Sequence, residues 1–328
     1  MSKLQPDLKP KLKSNKQLIL QSIVTTASPP ESYRAGNNVK SSLWRVAMRR
    51  LVKNKLAMSG LAVVLFMFIA CFVGPLFSPY TNGKTNLAIM NQAPSLRHWL
   101  GTDKLGRDVL TRVLQAGRIS LTVGLASMVL SVFIGSILGA IAGYYRGIVD
   151  QVIMRVADLL MTIPSLPLLF IIGALLSDWK VPTDYRMYIV MVMLSIVGWP
   201  ALARMVRGQI LSIREQEFMQ ATVVLGLRDR RKLFQHLLPN IVPLLIVIAT
   251  LNIGGAILME SVLSFFGLGV IAPTPTWGNM IDTANNLIDF QERPWLWIPP
   301  GLSIFATVIA INIFGDGLRD VLDPKQRK

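Results

Sequence analysis

Residues 119–143 read ISLTVGLASMVLSVFIGSILGAIAG, 25 residues without one charged side chain. A hydrocarbon layer about 30 Å thick is crossed by roughly 20 residues of α-helix rising about 1.5 Å each. This stretch is therefore long enough to span a bilayer. Within lipid a segment must satisfy its own backbone hydrogen bonds, which makes the span helical. Working outward, five more stretches of the same kind are found at about 56–77, 156–177, 187–205, 240–266 and 296–315. The expectation is an all-α membrane protein with six transmembrane helices.

The composition agrees. Of 328 residues 52% are hydrophobic and 16% charged, and the mean hydropathy is +0.48, outside the range of ordinary soluble domains. A net charge of +16 would suggest nucleic acid in a soluble chain. Here the basic residues instead orient the spans. Six spans place 25 of the 34 Lys and Arg on one face, in residues 1–55, 144–155, 204–238 and the C-terminus, against 9 on the other. The positive-inside rule puts both termini and the 204–239 loop in the cytoplasm. A single cysteine, Cys71, and two distant histidines, His98 and His236, leave no disulfide, metal cluster or catalytic constellation to propose.

Residues 1–41 read as a basic, proline-containing tail with little to bury, and 42–55 as an amphipathic helix on the inner membrane surface. Residues 56–118 form the first span and an outer segment, in which 108–117 reads as a short amphipathic helix flat on the surface. Residues 119–328 form the remaining core. The outer segment 267–295 carries Trp277 and Trp295 among prolines, the content of an interfacial loop. External Arg107, Arg112 and Arg118 lie near Asp103 and Asp108, readable as local salt bridges or as docking for an acidic surface.

Within the opening stretch, Ser127, Ser131, Gly135, Gly139 and Gly143 recur every four residues, a small-residue stripe on which another helix can pack closely. That helix could belong to this chain or to a second subunit. Glu260 in the fifth span, after Asn252 and the pair Gly254 and Gly255, either lines a passage or holds helices together through its carboxyl group. Asp158 near Arg155 reads as a structural pair. Arg204 and Arg207 read as facing the cytoplasm.

The loop between the fourth and fifth spans runs Arg214-Glu215-Gln216-Glu217-Phe218-Met219-Gln220-Ala221-Thr222, then reaches Gly226 and His236-Leu237-Leu238-Pro239. Small Ala221 suits a short helix seated in a partner's groove. Gly226 suits its left-handed end, and Pro239 re-entry to the membrane. The spacing resembles the EAA loop of ABC importer permeases, with Gln220, Ala221 and Thr222 at the EAA positions. Outside, residues 98–112, HWLGTDKLGRDVLTR, with 264–269, 273–278 and 315–324, resemble the C-type permease subunit of the dipeptide, oligopeptide and nickel branch.

The resemblance implies a type I ABC importer permease fold and a coupling site at Glu217, Gln220, Ala221, Thr222, Gly226, His236, Leu238 and Pro239. It implies as partners a B-type permease, two cytoplasmic ATPases and an extracytoplasmic peptide-binding protein, in a bacterial cytoplasmic membrane and without nucleic acid. The chain has no G-x-x-x-x-G-K-[ST] phosphate loop, so ATP and Mg are expected on the ATPases and no cofactor on this chain. Peptides, oligopeptides before dipeptides, are the expected cargo. The alternatives are nickel or another small solute, or a self-contained channel or ion-coupled carrier, which would show internal repeats or paired half-helices.

Overall fold

Asn54 caps the first long helix: its side-chain oxygen accepts a hydrogen bond from the Ala57 amide at 3.1 Å, satisfying one of the free donors of a helix start. From there the computed structural model is almost wholly helical. It describes residues 48–80 and 83–322. The expected tail 1–41 and residues 42–47 of the amphipathic helix lie outside the described residues. Residues 48–53 are helical, with Leu51 buried and Met48 and Val52 exposed. Two units are distinguished, Met1–Arg49 and Arg50–Lys328, and the fold described below belongs to the second.

The long helices are α1 (Lys55–Phe77), α2 (Val109–Tyr145), α3 (Gly147–Thr162), α4 (Ser165–Asp178), α5 (Thr183–Arg214), α7 (Leu238–Phe265) and α10 (Ile298–Leu322). The short helices α6 (Glu217–Val224), α8 (Trp277–Ile281) and α9 (Leu287–Glu292) lie in the connections. Five helices are each long and apolar enough to cross a membrane, and α3 with α4 form a sixth candidate bent by 84°. The straight third span expected over 156–177 is thus corrected to a broken one. Pro164 has no amide hydrogen to donate and pushes Ile163 out of the helical region, where it sits at φ −85°, ψ 125°.

Helix direction shows that the bent pair crosses once. Ser131 on α2 meets Ser195 and Gly198 on α5, Gly135 meets Trp199 and Leu202, and Gly143 meets Arg207 and Ile210. Both sets of numbers rise together, so α2 and α5 run parallel. The chain between them must return to its starting face, and α3 with α4 make that return. Helices α2 and α7 are antiparallel, with Gly124 against Ile257 and Ser120 against Glu260. Helices α1 and α10 are also antiparallel, with Gly60 against Ala310 and Ala57 against Gly317. The start of α1 and the end of α10 therefore share a face.

The small-residue stripe packs within the chain. A Cβ on Gly135 would stand 2.7 Å from the Leu202 Cβ, one on Gly143 would stand 2.9 Å from the Arg207 carbonyl oxygen, and one on Gly139 would collide with the Ala203 carbonyl. Only glycine allows two backbones this close. Ser127 contributes its carbonyl, which accepts from the hydroxyls of Ser131 at 2.8 Å and Ser195 at 3.1 Å.

Of residues 108–117, Asp108 is the extended cap and 109–117 are helical, but they are the opening turns of α2 and not a separate surface helix. At about 1.5 Å per residue, the 37 residues of α2 exceed the apolar layer by several turns. Their apolar face is covered by protein: Val109, Val113 and Ala116 join Trp277, Met280 and Leu296 in one core. The expected boundary at residue 119 is therefore absent. Asp108 starts α2 by accepting from the Thr111 amide at 2.8 Å and hydroxyl at 2.7 Å.

Candidate functional site

On the face that holds the ends of α2 and α5, the loop 215–237 is built in two layers. Met219 and Thr222, three residues apart on α6, point inward. Met219 packs with Leu233, Leu237, Ile210 and Val206, and the Thr222 hydroxyl donates to the Met219 carbonyl at 2.6 Å. The opposite face is open: Phe218 is 41%, Leu225 75% and Val224 88% exposed, and Glu217, Gln220 and Ala221 are exposed beside them. Three large apolar side chains facing out from a short helix form an unpartnered patch. Gly226 ends the helix at φ +64°. Its amide donates to the Val223 carbonyl at 3.0 Å, and that of Leu227 to Thr222 at 3.2 Å, the paired bonds of a Schellman cap.

This loop is stapled to the inner end of α2. Arg214 donates to the Tyr144 carbonyl at 2.8 Å and lies over its ring at 5.6 Å. Arg146 pairs with Glu215 at 3.3 Å, and the Tyr144 hydroxyl donates to Asp229 at 2.5 Å. After the turn Asp229–Arg231, residues Lys232–Leu237 form a π-helix that runs into α7. His236 lies half-buried in it, and its carbonyl accepts from the Asn240 side-chain amide at 2.6 Å. Leu238 and Pro239 open α7: the Leu238 amide still bonds the Leu233 carbonyl in the π-helix, whereas Pro239 has no amide hydrogen to add to that ladder. Wide turns of this kind recur at functional positions, and the residue pattern holds no signal separating them from α-helix.

Arg204 and Arg207, expected to face the cytoplasm alone, are paired across the bundle. Arg204 bonds Asp158 and Arg207 bonds Asp150 at 2.5 and 2.7 Å. Asp158 thus takes its partner from α5, not the expected Arg155.

At the outer end Glu260 is fully buried. Its oxygens accept from Ser120 at 2.8 Å and Ser264 at 2.7 Å, and the Ser120 hydroxyl accepts the Trp277 amide at 3.2 Å. The Trp277 indole donates to the Val113 carbonyl at 3.0 Å. The Ser120 bond ties α7 to α2, the kind of contact that a carboxyl holding helices together makes. Trp277 is likewise a core residue and not an interfacial one. Asn252 stands apart from Glu260, lining a cavity of 250 Å³ with Ser127, Gly198, Gly255 and Met259. Among the external charges, Asp103 bonds Arg107 at 2.7 Å and Arg112 at 3.4 Å. His98 bonds Asp108 at 3.0 Å, and Arg118 covers the Phe72 ring at 5.7 Å.

The chain is thus a polytopic α-helical membrane protein whose inward-facing loop carries an open apolar face. Residues 135–328 match the family described as binding-protein-dependent transport system inner membrane component, and residues 42–94 match the N-terminal TM domain of oligopeptide transport permease C. The chain belongs to this permease family and is a multi-pass protein of the bacterial inner membrane. It is 38% identical to the oligopeptide transport system permease protein OppC of Bacillus subtilis, over 94% of this chain and all of the relative. It is 39% identical to the dipeptide transport system permease protein DppC of Alkalihalophilus pseudofirmus, over 87% of this chain and 91% of that one. For OppC of Haemophilus influenzae the identity is 38%, over 87% and 90%.

Proposed function

We propose that this chain is one membrane-spanning half of an ATP-driven peptide importer, with oligopeptides as its main cargo. The observation that carries the proposal is α6, held on its inner side by Met219 and Thr222 and open on its outer side at Phe218, Ala221, Val224 and Leu225. Such a face gains from burial in a groove of another protein, at about 25 cal/mol per Å² of apolar surface. With the loop tied to α2 and α5, force applied at α6 reaches both parallel helices. A cytoplasmic ATPase gripping α6 would shift the bundle between inward-open and outward-open arrangements. ATP and Mg would sit on that ATPase and its twin. A homologous permease would complete the passage, and an external peptide-binding protein would deliver cargo.

The test is reconstitution of the chain with the permease, ATPases and binding protein that copurify with it. Uptake of labelled peptide that requires ATP and all partners is the expected result. Uptake by this chain alone, without an ATPase, would overturn the proposal.

A further inference from the structure

The outer face holds a cavity of 510 Å³ between the start of α2, the end of α7 and the segment around α8, a size in the range of ligand pockets, about 300–1,000 Å³. Its charges are segregated by wall. The α2 side contributes Lys104, Arg107 and Arg112 against the single carboxylate Asp103, and the α8 side contributes Asp282 and Asp289. Most are committed elsewhere: Arg107 and Arg112 bond Asp103, and Asp289 bonds Arg293 at 2.6 Å. Lys104 and Asp282 are different. Both are exposed, and among the described residues neither has an ion-pair partner. Asp282 accepts from the Asn285 side-chain amide at 2.8 Å. The cavity thus presents an uncommitted ammonium on one wall and an uncommitted carboxylate on the other.

We propose that this cavity is a receiving site for a short zwitterionic peptide, whose terminal carboxylate meets Lys104 and whose terminal ammonium meets Asp282. The proposal rests on the peptide-importer reading and adds to it a place on this subunit where cargo first lands. A ligand carrying both charges gains from both walls, and one in which either end is blocked loses one of the two contacts. The side chains of the peptide remain free, so the site reads the ends and not the sequence.

The experiment is equilibrium dialysis of tritiated trialanine, its C-terminal amide and its N-acetyl form against the purified permease and ATPase complex without binding protein. Trialanine is expected to bind, and each blocked form to bind about tenfold more weakly, the loss of one charge-assisted contact. Lys104→Ala should weaken trialanine to the level of the amide and leave the amide unchanged. Asp282→Ala should do the same relative to the N-acetyl form. An unchanged melting temperature in both variants shows that the outer segments remain folded.

Absence of trialanine binding, or equal affinity for all three peptides, overturns the inference. So do variants that leave peptide affinity unchanged while weakening capture of the binding protein, which assigns the cavity to protein docking. If the complete importer takes up peptide while dialysis shows no binding, only this inference fails. If it takes up no peptide, the importer reading fails with it.

Discussion

Gly226 occupies φ +64° with no atom within 4 Å of where a Cβ would stand, so a side chain there meets a backbone cost and no collision. Alanine in this region costs about 1–2 kcal/mol, and asparagine less, because its short polar side chain tolerates the left-handed conformation. Gly226→Ala is expected to lower peptide-stimulated ATP hydrolysis severalfold, with Gly226→Asn nearer the parent. Equal activity in all three would show that the cap does not position α6. At Glu260, replacement by leucine removes the acceptor of two serine hydroxyls in a sealed site. A loss of about 2–4 kcal/mol is expected, read as a lower melting temperature in detergent, while Glu260→Gln keeps the shape and loses less. The glycine was legible in the sequence because it stands four residues after Thr222, where the short helix must end and only glycine takes the left-handed conformation without strain. The enclosure of Glu260 was not, because its donor Ser120 lies 140 residues away.

Among the elements, the contact of α2 with α5 is the one most exposed to a single change. Gly139→Leu drives a side chain into the Ala203 carbonyl and is expected to prevent the two helices from closing. Loss of protease resistance in the 135–214 region would register it. Gly255→Ala meets nothing within 4 Å and should leave resistance and melting unchanged. The stripe itself was readable from four-residue spacing, since that period places side chains on one helix face. Its partner was not, because close approach requires only smallness and any helix supplies a backbone. The break between α3 and α4 was written in Pro164, but its 84° angle depends on what packs on either arm. The single-helix continuity of α2 was hidden for a related reason: amphipathic turns look the same whether lipid or protein covers their apolar face.

For the molecule as a whole, orientation follows from charge asymmetry together with the parallel run of α2 and α5. The single cysteine among the described residues, Cys71, is buried, so the native chain is expected to resist a membrane-impermeant maleimide. Leu287→Cys on exposed α9 should label in intact cells, and Val224→Cys on α6 only after the membrane is opened. Labelling of Val224→Cys in intact cells and of Leu287→Cys only after opening would reverse the assigned faces. The inner ion pairs of Arg204 and Arg207 bind α5 to the bent arm, so these two basic residues serve packing as well as orientation.

The amino-acid sequence by itself determined that the chain is helical, that it crosses a bilayer and which face is inside, because water, lipid and the inner surface sort residues by type wherever they stand along the chain. It also carried the 215–237 loop and its helix α6, whose residues are neighbours in sequence. Tertiary structure alone decided which helices run side by side, which charges are spoken for and which remain open. Those outcomes depend on pairs of residues brought together from distant positions, and a local pattern holds no record of its partner.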